Sequence, residues 1–214
     1  MQTDRKEALR YLGLGKHEPD PETERLLEEC IREAERAAEF RHLVREYPLS
    51  VEEDGTVDGG CFRVKSAKTS KKNLSGCDSV LVMAVTVGAE VDRLLARYGK
   101  LSVAKAVVMQ AAAAAMVEAY CNELNAMWKK EYLEKGLYLR PRFSPGYGDF
   151  PLSAQKQILD GLEAGKRIGI TLTEGYLMMP SKSVTAVIGV SRAPAACVIE
   201  GCEACGKKDC AFRR

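Results

Sequence analysis

The feature that most constrains the fold of this chain is a long helical pattern over residues 101–135. Ser102 is a suitable N-cap, and residues 111–115 are five successive alanines. Alanine is the best helix former, and its small side chain lets neighbouring backbones approach closely on more than one side. The pattern therefore predicts a helix that serves as the spine of the domain.

Apolar runs predict the strands that accompany this helix. Residues 79–88 form a continuous apolar and β-branched run, which is typical of a central strand covered on both faces. Residues 183–191 are also β-rich, and residues 168–174 alternate toward a strand adjacent to them. Residues 176–180 are expected to form an irregular crossing.

Further helices are predicted from capping and stop residues: one from Thr3 or Asp4 to Gly13, one opened by Asp20-Pro21, one over residues 89–98, and one from Ser153 to Gly165. Residues 41–64 predict two or three antiparallel strands around an Asp54-Gly55 turn. The expected fold is α/β of the α+β type, with a mostly antiparallel sheet flanked by helices and the alanine-rich helix packed on it. We expect one domain over residues 1–194 and a cysteine-rich tail over residues 195–214.

Composition argues against several classes of function. The net charge of +2 gives no general field that would attract nucleic acid or an anionic membrane. The charged N-terminus lacks the apolar core of a signal peptide. The apolar residues 106–117 are interrupted by Gln110 and are fewer than the roughly 20 that a bilayer needs. We therefore expect a cytoplasmic protein with no membrane span, whose partners are recognised locally.

The most informative run for function is the loop over residues 142–151, which contains two prolines and two glycines. The prolines restrict the backbone, while Gly146 and Gly148 permit positive φ and let a ligand approach exposed amides. Arg142 offers a guanidinium fork suited to a carboxylate or phosphate, and Tyr147 adds an aromatic face. These residues predict a rigid binding loop. The alternative is a plain connection in which Arg142 is solvated and Tyr147 is packed.

The eight cysteines fall into two groups. Four scattered residues are interpreted as buried thiols with no special role: Cys30, Cys61, Cys77 and Cys121. The other four are candidate metal ligands clustered in the final eighteen residues: Cys197, Cys202, Cys205 and Cys210. Their inner CxxC is a chelating signal, but the flanking spacings match neither paired zinc knuckles nor a familiar ferredoxin run. Zinc, an iron–sulfur centre and free thiols all stay open.

Three motifs together resemble a known family: Arg142-Phe-Ser-Pro-Gly-Tyr147, Leu172-Thr-Glu174 and Met179-Pro180-Ser-Lys-Ser183-Val184. They are similar to the S-adenosylmethionine-binding reactivation (activation) domain of cobalamin-dependent methionine synthase, and more closely to its free-standing versions. The resemblance is good over residues 111–191 and vaguer over residues 1–101. The cysteine tail is absent from the fused domain, whereas free-standing relatives carry it.

This resemblance implies a salvage function, in which S-adenosylmethionine and one electron regenerate methylcobalamin from inactive cob(II)alamin. The implied partners are a cobalamin-dependent methionine synthase that lacks its own activation domain, which supplies the cobalamin, and a flavodoxin-like or ferredoxin-like electron donor. The chain would be a reactivation subunit that binds and orients the methyl donor, with no catalytic acid or base.

Matched to the family motif, four loop positions are the expected ligand contacts: Arg142, Ser144, Gly146 and Tyr147. Arg142 would pair with the carboxylate of S-adenosylmethionine, and Tyr147 would border its sulfonium or adenine.

Two acidic residues are candidates for holding either the ligand ammonium or Arg142, namely Glu118 and Glu174. Glu118 is unusual in the apolar part of the long helix, where a structural ion pair or a solvent-facing position is the alternative. One alignment of this helix places the family's acid at Ala114 instead. An aromatic pair of the fused domain, beyond the strand that opens at Ser183, is also missing here.

Two other functions stay open. The clustered cysteines favour a metal-binding interaction or electron-transfer module that serves a corrinoid protein. An ordinary small-molecule methyltransferase has less support, because no glycine-rich nucleotide-binding loop follows an early strand.

Overall fold

The structure is a computed structural model that describes residues 3–14, 17–66 and 73–194. The helices of these ranges are α1 (Arg5–Tyr11), α2 (Pro21–Ala37), α3 (Ala89–Leu101), α4 (Val103–Glu134), α5 (Ala154–Gly161) and α6 (Ala164–Ile168). The strands are β1 (Arg41–Pro48), β2 (Ser50–Val51), β3 (Thr56–Asp58), β4 (Arg63–Lys65), β5 (Ser79–Thr86), β6 (Tyr138–Leu139), β7 (Thr171–Leu172), β8 (Met178–Met179) and β9 (Ser183–Ser191).

Side-chain caps open the first two helices and the longest one. The Asp4 carboxylate accepts from the amides of Lys6 and Glu7 at the start of α1, and Asp20 does the same one residue before α2. The Ser102 side chain accepts from the Lys105 amide at the start of α4. These predicted starts are confirmed, as is the long alanine-rich helix itself.

The main sheet has four antiparallel strands in the order β1-β5-β9-β6. β5 pairs with β1 along one edge and with β9 along the other, and both pairings extend over eight residues. The central position predicted for residues 79–88 is therefore confirmed. The three short strands β2, β3 and β4 form a separate antiparallel sheet that includes the Asp54-Gly55 turn.

Alternate residues of β5 lie in two different cores. Leu81, Met83 and Val85 pack into a core that includes residues of α1 to α4. Val80, Val82 and Ala84 pack into a second core, which includes residues of β3, β4, α5 and α6. A strand covered on both faces is apolar at every position, and this explains the uninterrupted run in the sequence.

Two boundaries in the second half of the chain differ from the predictions. The helix predicted to end at Gly165 ends at Gly161, and Gly165 instead lies inside α6, which Gly169 ends at a φ of 76°. The strand predicted over residues 168–174 is only β7, and its partner is β8 rather than β9. Residues 176–180, which were expected to form an irregular crossing, therefore include strand β8, because the chain folds back into a hairpin.

Helix α4 is long and apolar enough to cross a membrane by length and composition alone. Within the fold, 44% of its most apolar window is buried against other elements. A core helix passes the same test, so this property is weak evidence for a membrane span.

Candidate functional site

The segment that carries Arg142 is fixed to the edge of β9. Phe143 and Val187 exchange two backbone hydrogen bonds, of 3.1 and 2.9 Å, and the Arg140 amide donates to the Gly189 carbonyl at 2.8 Å. The loop therefore starts from the rigid central sheet, which fixes the position of the Arg142 backbone.

Internal hydrogen bonds close the loop over residues 142–151. The Gly146 amide donates to the Phe150 carbonyl at 2.8 Å, and the Tyr147 amide donates to the Ser144 carbonyl at 3.3 Å. Gly146 has a φ of 92° and Gly148 a φ of 60°, as the sequence predicts. These bonds restrict the backbone of the loop. The expectation of exposed amides is wrong at Gly146 and Tyr147, whose N–H groups are used inside the loop.

One aromatic side chain anchors the loop and another faces solvent. Phe150 is buried and packs against Phe62 and Phe143, with ring centroids 5.6 and 5.4 Å apart. Tyr147 is 72% exposed. The alternative in which Tyr147 is packed is therefore wrong, and its ring is available at the surface.

Arg142 is held by an acid and an amide on helix α4. Its Nη2 donates to Glu118 Oε2 at 2.6 Å and to Asn122 Oδ1 at 3.0 Å. The Arg142 and Glu118 side chains are only 18% and 28% exposed. The alternative of a solvated Arg142 is wrong, and the structural ion pair considered for Glu118 is present. Ala114, one turn earlier on the helix, has no carboxylate to offer.

Electrostatics at this pair favour a permanently charged guanidinium. Burial alone would lower the pKa of Arg142, but the negative charges that Cys121 and Glu118 can carry raise it overall. Burial raises the pKa of the Cys121 thiol to about 12, so at neutral pH this thiol is uncharged. Glu118 is therefore the effective counter-ion of Arg142.

Two residues of this site, Asn122 and Tyr11, are not predicted from the sequence. Asn122 follows Glu118 by four positions, so the helical period alone places both on one face of α4. Tyr11, near the end of α1, is half-buried against the first core. Burial raises the pKa of Tyr11, and the neighbouring Glu118 and Tyr147 raise it further. No local pattern predicts that α1 lies beside the loop, since this depends on how α1 packs on α4.

The second candidate acid lies elsewhere. Glu174 is an exposed residue in the turn between β7 and β8, and within the described ranges no hydrogen bond or ion pair joins it to Arg142. Of the two acids considered, Glu118 is thus the one that the fold brings to the arginine.

The structure describes one of the two groups of cysteines, the four scattered residues, but not the four of the tail. Cys30 and Cys121 are buried free thiols as predicted, whereas Cys61 and Cys77 are only partly buried. The four candidate metal ligands of the tail lie outside the described residues: Cys197, Cys202, Cys205 and Cys210. In the part of the chain that the structure describes, no group of three or more His, Cys, Asp or Glu side chains could hold a metal ion.

Comparison with known proteins identifies the family. The family model described as "Vitamin B12 dependent methionine synthase, activation domain" matches residues 67–196, which is more than half of the 214 residues. A solved structure described as the MetH reactivation domain bound to AdoHcy has the same fold, with a TM-score of 0.60 and 20% sequence identity over 84% of this chain and 71% of that one. The expected α+β fold and the resemblance in the motifs are thereby confirmed. This chain belongs to the activation-domain family of vitamin B12-dependent methionine synthase.

Proposed function

We propose that this chain binds S-adenosylmethionine at the Arg142 loop and supports reductive methylation of cob(II)alamin on a separate cobalamin-dependent methionine synthase. The observation that carries the proposal is the half-buried Arg142, which Glu118 orients beside a rigid loop with an exposed tyrosine. Membership of the activation-domain family supports it, and so does the similar fold whose description names bound AdoHcy.

The free donors of Arg142 suit the carboxylate of the ligand. Both of its hydrogen bonds within the described ranges come from Nη2, so the N–H groups of Nε and Nη1 are left, and either can donate a charge-assisted hydrogen bond to a carboxylate. Glu118 uses only Oε2 for Arg142, so its Oε1 can accept from the ligand ammonium. An amino acid moiety would thus find both of its charges matched, by Arg142 of the loop and by Glu118 of α4.

The remaining contacts are assigned to the loop. The exposed ring of Tyr147 would border the sulfonium or the adenine. Because the amides of Gly146 and Tyr147 are used internally, we assign the contacts near Ser144 and Gly146 to carbonyl oxygens and to close approach at the glycine. Glu174 is a weaker candidate, since no hydrogen bond or ion pair among the described residues connects it to Arg142.

The proposed reaction needs one electron and one methyl group. A flavodoxin-like or ferredoxin-like donor reduces cob(II)alamin, the reduced cobalt attacks the methyl carbon, the C–S bond breaks, and S-adenosylhomocysteine and methylcobalamin result. No proton moves in this sequence, so the protein needs no general acid or base. Its role is to hold the methyl donor in one orientation toward a cobalt that the partner carries.

Calorimetry with S-adenosylmethionine tests the binding step. Arg142→Ala should weaken binding by about 30-fold, because it removes a charge-assisted hydrogen bond to the ligand carboxylate. Arg192→Ala is the matched control, since Arg192 also pairs with a carboxylate, that of Asp78, but is 85% exposed. Saturable heat that Arg142→Ala leaves unchanged, or no heat with the purified reduced protein, would contradict the proposal.

A second function rests on the cysteine tail alone. Four clustered thiols could hold zinc or an iron–sulfur centre, and an electron-transfer role would suit the electron that the proposed reaction requires. Metal analysis and an absorption spectrum of anaerobically purified protein test this. Stoichiometric iron with visible charge-transfer bands would support an electron-transfer module, whereas the absence of both zinc and iron would remove it.

A further inference from the structure

The first strand of the main sheet has one edge with which no other described strand pairs. In the order β1-β5-β9-β6, β1 is an end strand, and its pairing with β5 extends over all eight of its residues. The free edge of such a strand presents a row of unused N–H and C=O groups to any strand that approaches it. The outer edge of β1 is therefore a candidate surface for pairing with another chain.

The outward backbone groups of β1 belong to its even-numbered residues. Leu49, which continues the register of β1 by one residue, donates its amide to the Asp78 carbonyl at 3.2 Å. Because the direction of backbone hydrogen bonds alternates along a strand, the odd residues of β1 point their N–H and C=O groups at β5. The same groups of His42, Val44 and Glu46 point away from the sheet, and these three residues are exposed.

A second copy of the same strand is complementary to this edge in one symmetric register. When two identical strands pair antiparallel about a twofold axis, one residue faces itself. With Val44 at the axis, Val44 faces Val44 of the second copy, and His42 faces Glu46 of the second copy. Each facing pair of outward residues exchanges two hydrogen bonds, so every N–H and C=O group of these three residues finds a partner.

The arginines of the edge favour the same register. An axis at Leu43 would set Arg41 opposite Arg45 of the second copy, and an axis at Arg45 would set that residue opposite itself. Like charges that face each other across two strands are destabilising. An axis at Val44 instead places Arg41 opposite the ring of Tyr47. The register that pairs all of the outward groups thus also separates the arginines.

The side chains of His42 and Glu46 have the groups that this pairing needs. His42 Nδ1 lies 2.8 Å from the Tyr120 hydroxyl, so Nε2 is the nitrogen left for a new contact. The Glu46 carboxylate accepts from the Ser79 and Tyr132 hydroxyls, one at each oxygen, and each oxygen retains a second lone pair. With the Tyr120 hydroxyl donating to Nδ1, Nε2 carries a proton that it can donate to the carboxylate of the other copy.

The edge also exposes apolar side chains, and it lies far from the methyl-donor loop. Val44 is 37% exposed, and Met127, two helical turns after Tyr120 on α4, is 51% exposed. The Arg142 loop is attached at the other side of the sheet, where Phe143 is hydrogen-bonded to β9. Pairing through β1 would therefore bury apolar surface and leave that loop open.

We propose that two copies of this chain pair through β1, antiparallel and about a twofold axis at Val44, so that their two main sheets become one continuous sheet. The partner is a second copy rather than a foreign peptide, because the edge is complementary to itself in both backbone hydrogen bonds and charge. Each copy keeps its own Arg142 loop accessible. The dimer does not depend on the proposed function.

Sedimentation of the full chain, from micromolar to millimolar concentration, tests whether this dimer forms. Val44→Pro removes the outward amide at the axis without removing a bond to β5, so it should weaken association about 30-fold, the loss of two hydrogen bonds. Val44→Thr, the matched control, keeps the amide and the β-branched shape and should change association by less than about 3-fold. Val44→Glu sets two carboxylates face to face and should also dissociate the dimer, which covers the case in which Val44→Pro does not fold. A chain that stays monomeric at every concentration, or a dimer that persists in Val44→Glu, would overturn the proposal.

Amide hydrogen exchange of the ¹⁵N-labelled chain tests the register. From dilute to concentrated protein, exchange at His42, Val44 and Glu46 should slow about 10-fold. The Val51 amide is the matched control: its side chain is 43% exposed, and because the neighbouring Glu52 donates to β3, the Val51 amide also points outward from an edge strand. Equal slowing at Val51, or a dimer in which exchange at Val44 does not slow, would overturn the proposal.

Discussion

Two half-buried clusters, each built around one cation, lie along helix α4. They differ in how many hydrogen-bond donors of the cation remain unused. Near its start, Lys105 Nζ donates to Glu29 at 2.6 Å and to Glu33 at 2.9 Å, and lies 4.2 Å from the centre of the Tyr98 ring. Further along, Glu118 holds Arg142 through one nitrogen only. We call the Lys105 cluster closed, because its ammonium faces two carboxylates and a ring, and the Arg142 cluster open, because Glu118 engages only one nitrogen of its guanidinium.

The difference distinguishes a structural ion pair from a binding one. An ammonium has three donors. The ammonium of Lys105 contacts two carboxylates and a ring at the junction of α2, α3 and α4. Burial alone would lower the pKa of Lys105, but the hydrogen bonds to Glu29 and Glu33 outweigh it and the pKa is raised. Arg142 has five donors on a planar guanidinium, and within the described ranges only Nη2 is hydrogen-bonded. We infer that Lys105 stabilises the helical layer, whereas Arg142 is oriented for a ligand.

The largest effect on stability is expected at the closed cluster. Lys105→Met leaves two neighbouring carboxylates without their cation and should lower the free energy of unfolding by about 2 kcal/mol. Denaturant unfolding measures this, with Lys100→Met, an exposed lysine of α3, as the control. Binding of S-adenosylmethionine by the folded variant should be unchanged. A loss of binding equal to that of Arg142→Ala would contradict the purely structural role assigned to Lys105.

The open cluster should show the reverse behaviour. Arg142→Lys keeps the positive charge but loses the planar guanidinium, which can donate to Glu118 and to the ligand carboxylate from different nitrogens at once, so we expect S-adenosylmethionine to bind about 10-fold more weakly. The unfolding midpoint should shift much less than in Lys105→Met. If the lysine variant bound the ligand as well as the unchanged protein, the guanidinium contact assigned to Arg142 would be wrong.

A smaller effect is expected from one hydroxyl of the closed cluster. The Tyr98 hydroxyl donates to Glu33 at 2.6 Å, and Tyr98→Phe removes this bond while it keeps the ring beside Lys105. The expected cost is about 1 kcal/mol of stability, again with no change in ligand affinity. A destabilisation as large as that of Lys105→Met would show that the hydroxyl, rather than the ammonium, holds the cluster together.

The smallest effect is expected at the acid that orients Arg142. Glu118→Gln preserves the size of the side chain and one acceptor, but it removes the charge that faces both Arg142 and the ligand ammonium. We expect a decrease in affinity of about 3-fold, measured by the same calorimetry. Glu174→Gln is the control, since Glu174 lies in a separate exposed turn. A larger effect of Glu174→Gln than of Glu118→Gln would reverse the assignment of the two acids.

The sequence predicts what depends on local pattern and misses what depends on tertiary packing. The alanine-rich helix and the double-sided strand β5 follow from periodicity, and Arg142 and Gly146 follow from the loop motif. The pairing of β7 with β8 was missed because two-residue strands carry almost no periodic signal. The position of Tyr11 beside Glu118 was missed because it depends on how α1 packs on α4, more than one hundred positions away in the chain.

The choice between Glu118 and Glu174 could likewise not be made from the sequence. Both acids stand in stretches that resemble the family, and only the geometry of α4 relative to the loop brings Glu118 within 2.6 Å of Arg142. Conversely, the motif did not indicate that the Gly146 and Tyr147 amides are used internally. Loop hydrogen bonds of this kind are set by backbone torsions that residue types only permit.

Reactivation of an oxidised synthase tests whether this chain, through Arg142, supplies the methyl donor to the cobalt of its partner. The chain would be added, with a chemical reductant and S-adenosylmethionine, to a cobalamin-dependent methionine synthase that lacks an activation domain and holds cob(II)alamin. The absorption of methylcobalamin should appear with the unchanged protein and with Arg192→Ala, and should not appear with Arg142→Ala. Methylcobalamin that forms at the same rate without the chain, or equally well with Arg142→Ala, would contradict it.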